Sequence, residues 1–90
     1  MKDFNEWLAT TNDKLVTPSE SPVYDYHERD NVKFSIQKYN NYSNIYGTLK
    51  LCKNENLEYV IYNIPSTEPD ILDAMERIYN LFKKINKHNE

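Results

Sequence analysis

One glycine, one cysteine and two histidines are all that these 90 residues contain of the types from which many small catalytic and metal sites are built. With Gly47 alone, no glycine-rich loop can wrap backbone N–H groups around a phosphate. With Cys52 alone, neither an intrachain disulfide nor a cysteine-built zinc cage can form. A single cysteine inside an apolar strand reads as a small core residue in a reducing compartment. No apolar run approaches the ~20 residues of a membrane-spanning helix, so no membrane association is expected. The opening MKDFNEW carries acids where a secretory signal needs a basic end and an apolar stretch, which points to a cytoplasmic protein.

Bases are also short. Eleven Lys and Arg stand against fourteen Asp and Glu, for a net charge of −3. The deficit lies in residues 1–31, where three bases face seven acids; residues 32–90 hold eight bases and seven acids. Duplex binders draw most of their affinity from clustered Lys and Arg that neutralise phosphates, so tight duplex binding is not expected.

What remains is enough to fold. Hydrophobic residues make up 39% of the chain and aromatics 13%, which suits one domain over residues 1–90 with one modest core. Asparagine occurs twelve times beside many Lys, Ile and Tyr, a composition with AT-rich codons that suggests a phage or other mobile element.

Asp3 and Glu6 have capping-box spacing, and Phe4, Trp7, Leu8, Thr11 and Leu15 recur at helical intervals. A short helix is expected over residues 3–14. TPSESP then breaks the helix, and residues 15–31 read as a proline-containing linker or hairpin.

Residues 32–64 read as antiparallel strands joined by short turns. VKFSIQKY alternates Val32, Phe34 and Ile36 with Lys33, Ser35 and Gln37. IYGTLKLC sets Ile45, Leu49 and Leu51 against Tyr46, Thr48 and Lys50. LEYVIYNI is apolar on both faces, the pattern of a strand covered between neighbours. PVYDYHE is a candidate fourth strand, with RDN as its turn.

A second helix is expected over residues 67–86. Thr67 is its N-cap, Pro69 lies in its first turn and Asp70 at the capping-box position. Ile71, Leu72, Met75, Ile78, Tyr79, Phe82 and Ile85 form one stripe. The fold class is therefore α+β: a short N-terminal helix, a three- or four-stranded antiparallel sheet and a C-terminal amphipathic helix packed on it, α-β-β-β(-β)-α.

The densest cluster of functional groups is SPVYDYHERDN, residues 21–31. On a strand Asp25 and His27 share a side, which could begin a metal site. Zinc takes three or four protein ligands, and the other histidine, His88, stands near the end of the sequence, so no metal site is assigned. No convergent acid–base or nucleophile set is present, so neither catalysis nor a cofactor is expected.

Eight tyrosines exceed what so small a core can use. Tyr79, with Tyr59 or Tyr62, reads as core, whereas Tyr24, Tyr26, Tyr39, Tyr42 and Tyr46 fall in loops and on the less apolar strand faces. Exposed tyrosines beside acids and arginine have the composition of a protein-binding surface. The expected interface comprises Tyr24, Asp25, Tyr26, Glu28, Arg29, Asp30, Tyr42 and Tyr46. Its acids would steer a protein partner with a basic surface.

The expected function is thus a small non-enzymatic protein-binding module, such as a phage or mobile-element inhibitor occupying a basic or nucleic-acid-facing surface of a host or defence protein. The alternative is a single-stranded nucleic-acid-binding module whose tyrosines stack bases beside Lys33, Lys38 and Lys50. Asp25, Glu28 and Asp30, close in sequence, would repel phosphates. A homo-oligomer with no outside ligand is the third reading.

Overall fold

In the computed structural model, which describes residues 1–67 and 70–88, helix α1 (Phe4–Ala9) leads into five strands and a closing helix. The strands are β1 (Asn12–Val16), β2 (Val23–Arg29), β3 (Val32–Lys38), β4 (Ser43–Lys53) and β5 (Asn56–Ser66), and the closing helix is α2 (Ile71–His88). They form one antiparallel sheet in the order β1-β2-β3-β4-β5, each strand beside its sequence neighbours. The α+β class and the C-terminal helix packed on the sheet are as the sequence indicates. No described helix is long and apolar enough to cross a membrane.

The first helix is shorter than its periodicity suggests. Asp3 caps it by accepting the Glu6 N–H at 2.9 Å. It ends at Ala9, where the Thr10 and Thr11 hydroxyls turn back onto the carbonyls of Glu6, Trp7 and Leu8. Such local bonds compete with helix propagation. Residues 12–16, expected in part as helix and in part as linker, instead form β1, which pairs along its length with β2. The ladder with β2 outweighs a weak helical pattern. Leu15, placed by its spacing on the helix stripe, is 62% exposed. The candidate strand PVYDYHE exists as β2 and pairs with β3 around the Asp30–Asn31 turn, so the sheet has five strands rather than three or four.

Strand alternation builds the core. Val32, Phe34 and Ile36 from β3 and Ile45, Leu49 and Leu51 from β4 are buried on one face. Against them lie Ile71, Ala74, Met75, Ile78, Tyr79 and Phe82 of α2 and Phe4 and Trp7 of α1. Trp7 stands edge-on to Phe34 at 5.6 Å and donates its indole N–H to the Arg29 carbonyl at 3.1 Å. That bond ties α1 to the end of β2. Gly47 lies under α2 with no room for a side chain: a Cβ there would stand 2.7 Å from Ile78 Cγ2.

The Tyr79 ring is buried against Phe4 and Trp7, and its hydroxyl donates to the Lys2 carbonyl. Burial first, then the negative charges of Asp3, Asp30 and Glu6, pushes this phenol from 10.0 up to about 12. A raised pKa means that the folded state favours the neutral phenol. Its contribution to stability is complete below the ordinary value and is lost as pH rises towards about 12. Titration followed by tyrosinate absorbance should show a phenol ionising near pH 12. Tyr79→Phe should remove that step, and an unchanged high-pH step would place the phenol elsewhere.

Two further expectations need correction. LEYVIYNI is not a covered central strand: β5 is an edge of the sheet, with Leu57, Tyr59, Ile61 and Tyr62 exposed. Composition reports how apolar a strand is, but pairing decides whether it has one neighbour or two. Cys52 is likewise exposed rather than packed in the core, because its parity along β4 opposes that of Leu49 and Leu51. Helix α2 runs from Ile71. The capping arrangement read across Thr67–Asp70 includes residues 68 and 69, which lie outside the described residues.

Candidate recognition face

The YDYHERD segment is divided by its own alternation. In β2 the register pairs Asp25 with Ile36 and His27 with Phe34, so these polar residues share the helix-bearing side of the sheet. Tyr24, Tyr26 and Glu28 point to the opposite side, on which no described element packs.

On the helix-bearing side the ionisable groups bind one another. His27 Nδ1 lies 2.7 Å from Asp13 Oδ1, and Nε2 lies 3.3 Å from Asp25 Oδ1. Lys38 Nζ stands 3.8 Å from the other Asp25 oxygen. The Thr11 hydroxyl donates to Asp13 at 2.7 Å and is the chief cause holding that carboxyl below 3.8; burial opposes it, and the His27 ring adds to it. The imidazole thus fastens the short strand β1 to β2. Asp25 and His27 do share a side, but among the described residues no three His, Cys, Asp or Glu side chains gather as a metal-binding group.

Arg29 serves the same seam. Its Nη1 donates to the Thr10 carbonyl at 3.0 Å, while Nε is buried with no hydrogen-bond partner among the described residues, 4.0 Å from Asp30 Oδ2. Asp30 occupies the left-handed region, φ 57°, that lets the β2–β3 hairpin turn tightly. Asp25 and Arg29 therefore do not share a face with Tyr24 and Tyr26.

The open side is read off the ladders in rows across the sheet. One row runs Lys14, Tyr26, Ser35, Tyr46, Asn63, and the next Asn12, Glu28, Lys33, Thr48, Ile61. Beyond these, Lys50 pairs with Tyr59 and Cys52 with Leu57. Tyr24 and Tyr26 lie stacked, centroids 6.1 Å apart, and Lys33 Nζ sits 5.6 Å from the Tyr26 ring centre, a cation–π distance. Two depressions adjoin here. One of about 460 Å³ is lined in part by Lys14, Tyr26, Glu28 and Lys33. The other, about 220 Å³, shares Glu28 and Lys33 and continues to Asp30, Lys50 and Tyr59. Tyr24, Tyr26, Glu28 and Tyr46 are thus brought to one surface, with Asp30 at its rim.

Tyr42 lies beyond the strand ends. It stacks on Tyr39 at 4.9 Å and borders a depression of about 750 Å³ at the start of α2, whose walls include Asp70, Asp73, Glu76 and Arg77. Lys38, grouped by sequence with Lys33 and Lys50, is on the helix-bearing side. Lys14, Leu57, Tyr59 and Ile61 join the open face without having been identified as candidates. The last three share one side because side chains along any strand alternate, although LEYVIYNI, apolar on both faces, does not show which side is open.

Compared with protein-family models, curated proteins and solved structures, the chain matches none.

Proposed function

We propose that this domain is a non-enzymatic protein-binding module that docks its partner on the open face of the sheet. One observation carries the reading: a sheet covered by helices on one side presents Tyr24, Tyr26, Tyr46 and Tyr59 with Ile61 on the other, amid lysines and acids of mixed sign. Tyrosine supplies large contact area at small entropic cost, and it is enriched among residues that dominate binding energy. The polar cluster around His27 supports a non-catalytic role, since its groups are committed to joining β1 to β2. An inhibitor of a host or defence protein, carried by a phage or mobile element, is the concrete form this reading takes.

A second reading, single-stranded nucleic acid stacked on the same face, is favoured by Lys14, Lys33 and Lys50 lining the two depressions. Strand alternation also removes Asp25 from this surface, leaving Glu28, the rim residue Asp30 and Asp13, which lines the larger depression, as the nearby acids.

Affinity capture from producing or host cells, followed by purification of the captured protein, tests the first reading. Tyr24→Ala with Tyr26→Ala should weaken that complex about ten-fold or more, while Asp73→Lys, on the exposed surface of α2, should not. Equal loss from both variants, or from neither, would remove the open face as the docking surface. Anisotropy with labelled single-stranded oligonucleotides decides between the readings. Sub-micromolar binding at ~150 mM salt, weakened by the tyrosine variant, would put nucleic acid first.

A further inference from the structure

We propose that two copies of this chain join edge to edge through β5, antiparallel, so that the five-stranded sheets become one continuous sheet. The inference rests on the edge of the sheet, whereas the functional reading rests on its open face, and either can fail alone.

The two edges of the sheet differ in kind. Strand β1 spans five residues, carries Lys14 at its centre and is followed by Pro18. Short length, lysine and proline are the features that keep edges from pairing with other chains. Strand β5 spans eleven residues, has no lysine, and reaches proline only at Pro65. Among the described residues, its outer backbone groups form a row without a strand neighbour. Of the ten large hydrophobic residues exposed among those described, four lie on this one strand: Leu57, Tyr59, Ile61 and Tyr62. They sit on both faces, Leu57, Tyr59 and Ile61 on the open side and Tyr62 on the helix-bearing side, so an added strand would bring side chains against apolar surface on either side of the sheet.

The sequence of β5 also suits itself as that second neighbour. A two-fold axis at Val60 sets Val60 opposite Val60 and Tyr59 opposite Ile61, an aromatic–β-branched pair of the favourable kind. Glu58, the one charged residue of β5, then faces Tyr62 and never its own copy. Two-fold symmetry therefore brings no like charges of β5 together; it lets Tyr59 and Ile61 of the two copies cover one another on the open face and sets the partly buried Val60 against its own copy on the other. The open faces of the two copies would run on without a break.

Sedimentation at about 100 µM gives the first measurement, a concentration that would reveal even modest affinity. The wild type should be a dimer, and Ile61→Lys, at a residue 65% exposed, should be a folded monomer. Leu15→Lys, on the opposite edge, should remain a dimer. So should Tyr26→Lys, which would abolish stacking of two open faces instead. Val60→Cys with Cys52→Ser should form an intermolecular disulfide on mild oxidation, because directly opposed residues stand roughly 4.5 to 5.5 Å apart at Cα. A monomeric wild type, a dimer insensitive to Ile61→Lys, a dimer lost in Tyr26→Lys, or the absence of that disulfide would each overturn the proposal.

Discussion

Phe82→Ala should leave the chain largely unfolded or without fixed tertiary packing at room temperature. Phe82 is fully buried, with its ring 6.3 Å from Phe34 and 5.9 Å from Tyr62, so it bridges α2 to both β3 and β5. Truncating a buried phenylalanine costs about 3 to 5 kcal/mol, from lost burial and from the cavity that remains. A 90-residue domain has about 5 to 13 kcal/mol in all. The loss is therefore a large part of the total, and α2 is the described element that covers β4 and β5. Thermal and urea melts followed by circular dichroism provide the check. A transition with unchanged midpoint and slope would mean that α2 does not hold the sheet.

Gly47→Ala should destabilise the protein although it adds only one methyl group. Gly47 does not occupy the left-handed region, so space rather than backbone freedom demands glycine here. The added methyl would meet Ile78 Cγ2 at 2.7 Å, Phe34 Cε1 at 3.0 Å and Phe82 Cε2 at 3.2 Å, and all three residues are buried. None of these atoms ends a long flexible side chain, so relief requires α2 to move away from the sheet. Overpacking of this kind costs about 1 to 3 kcal/mol, which outweighs the ~0.4 to 1 kcal/mol that alanine contributes by restricting the unfolded chain. A double-mutant cycle identifies the cause. In an Ile78→Ala background the closest contact is gone, and Gly47→Ala should cost distinctly less. Equal costs in the two backgrounds would show that the Ile78 contact is not responsible.

These two residues illustrate how much of the core could be read in advance. The stripe Ile71, Leu72, Met75, Ile78, Tyr79, Phe82 and Ile85 is a helical period visible in the sequence; all of it is buried or partly buried except Leu72, which lies at its margin and is 56% exposed. The alternation of β3 and β4 likewise identifies Val32, Phe34, Ile36, Ile45, Leu49 and Leu51 as core. The need for glycine at 47 was not legible, because it depends on how closely a helix thirty residues later approaches the sheet. Nor was β1. NDKLV has little strand pattern of its own, and it is extended because β2 offers a ladder and His27 a partner for Asp13.

The candidate interface divides along the same line. Period-two alternation, a property of any strand, dictates that Tyr24, Tyr26 and Glu28 lie opposite to Asp25, His27 and Arg29 once β2 forms. Proximity in sequence made these residues look like one surface; the sheet separates them into a tyrosine face and a polar seam. The same local rule places Tyr59 and Ile61 together on β5.

By itself, then, the sequence determined the local periods: which residues are helical, which alternate, and which of them travel together. Those follow from backbone geometry over a few residues and need no distant partner. Tertiary structure alone decided which face the helices cover and that β5, apolar on both faces, has β4 on one side and an open edge on the other. Both depend on pairing and packing between segments far apart in the chain, where the free energy comes from contacts that no local pattern records.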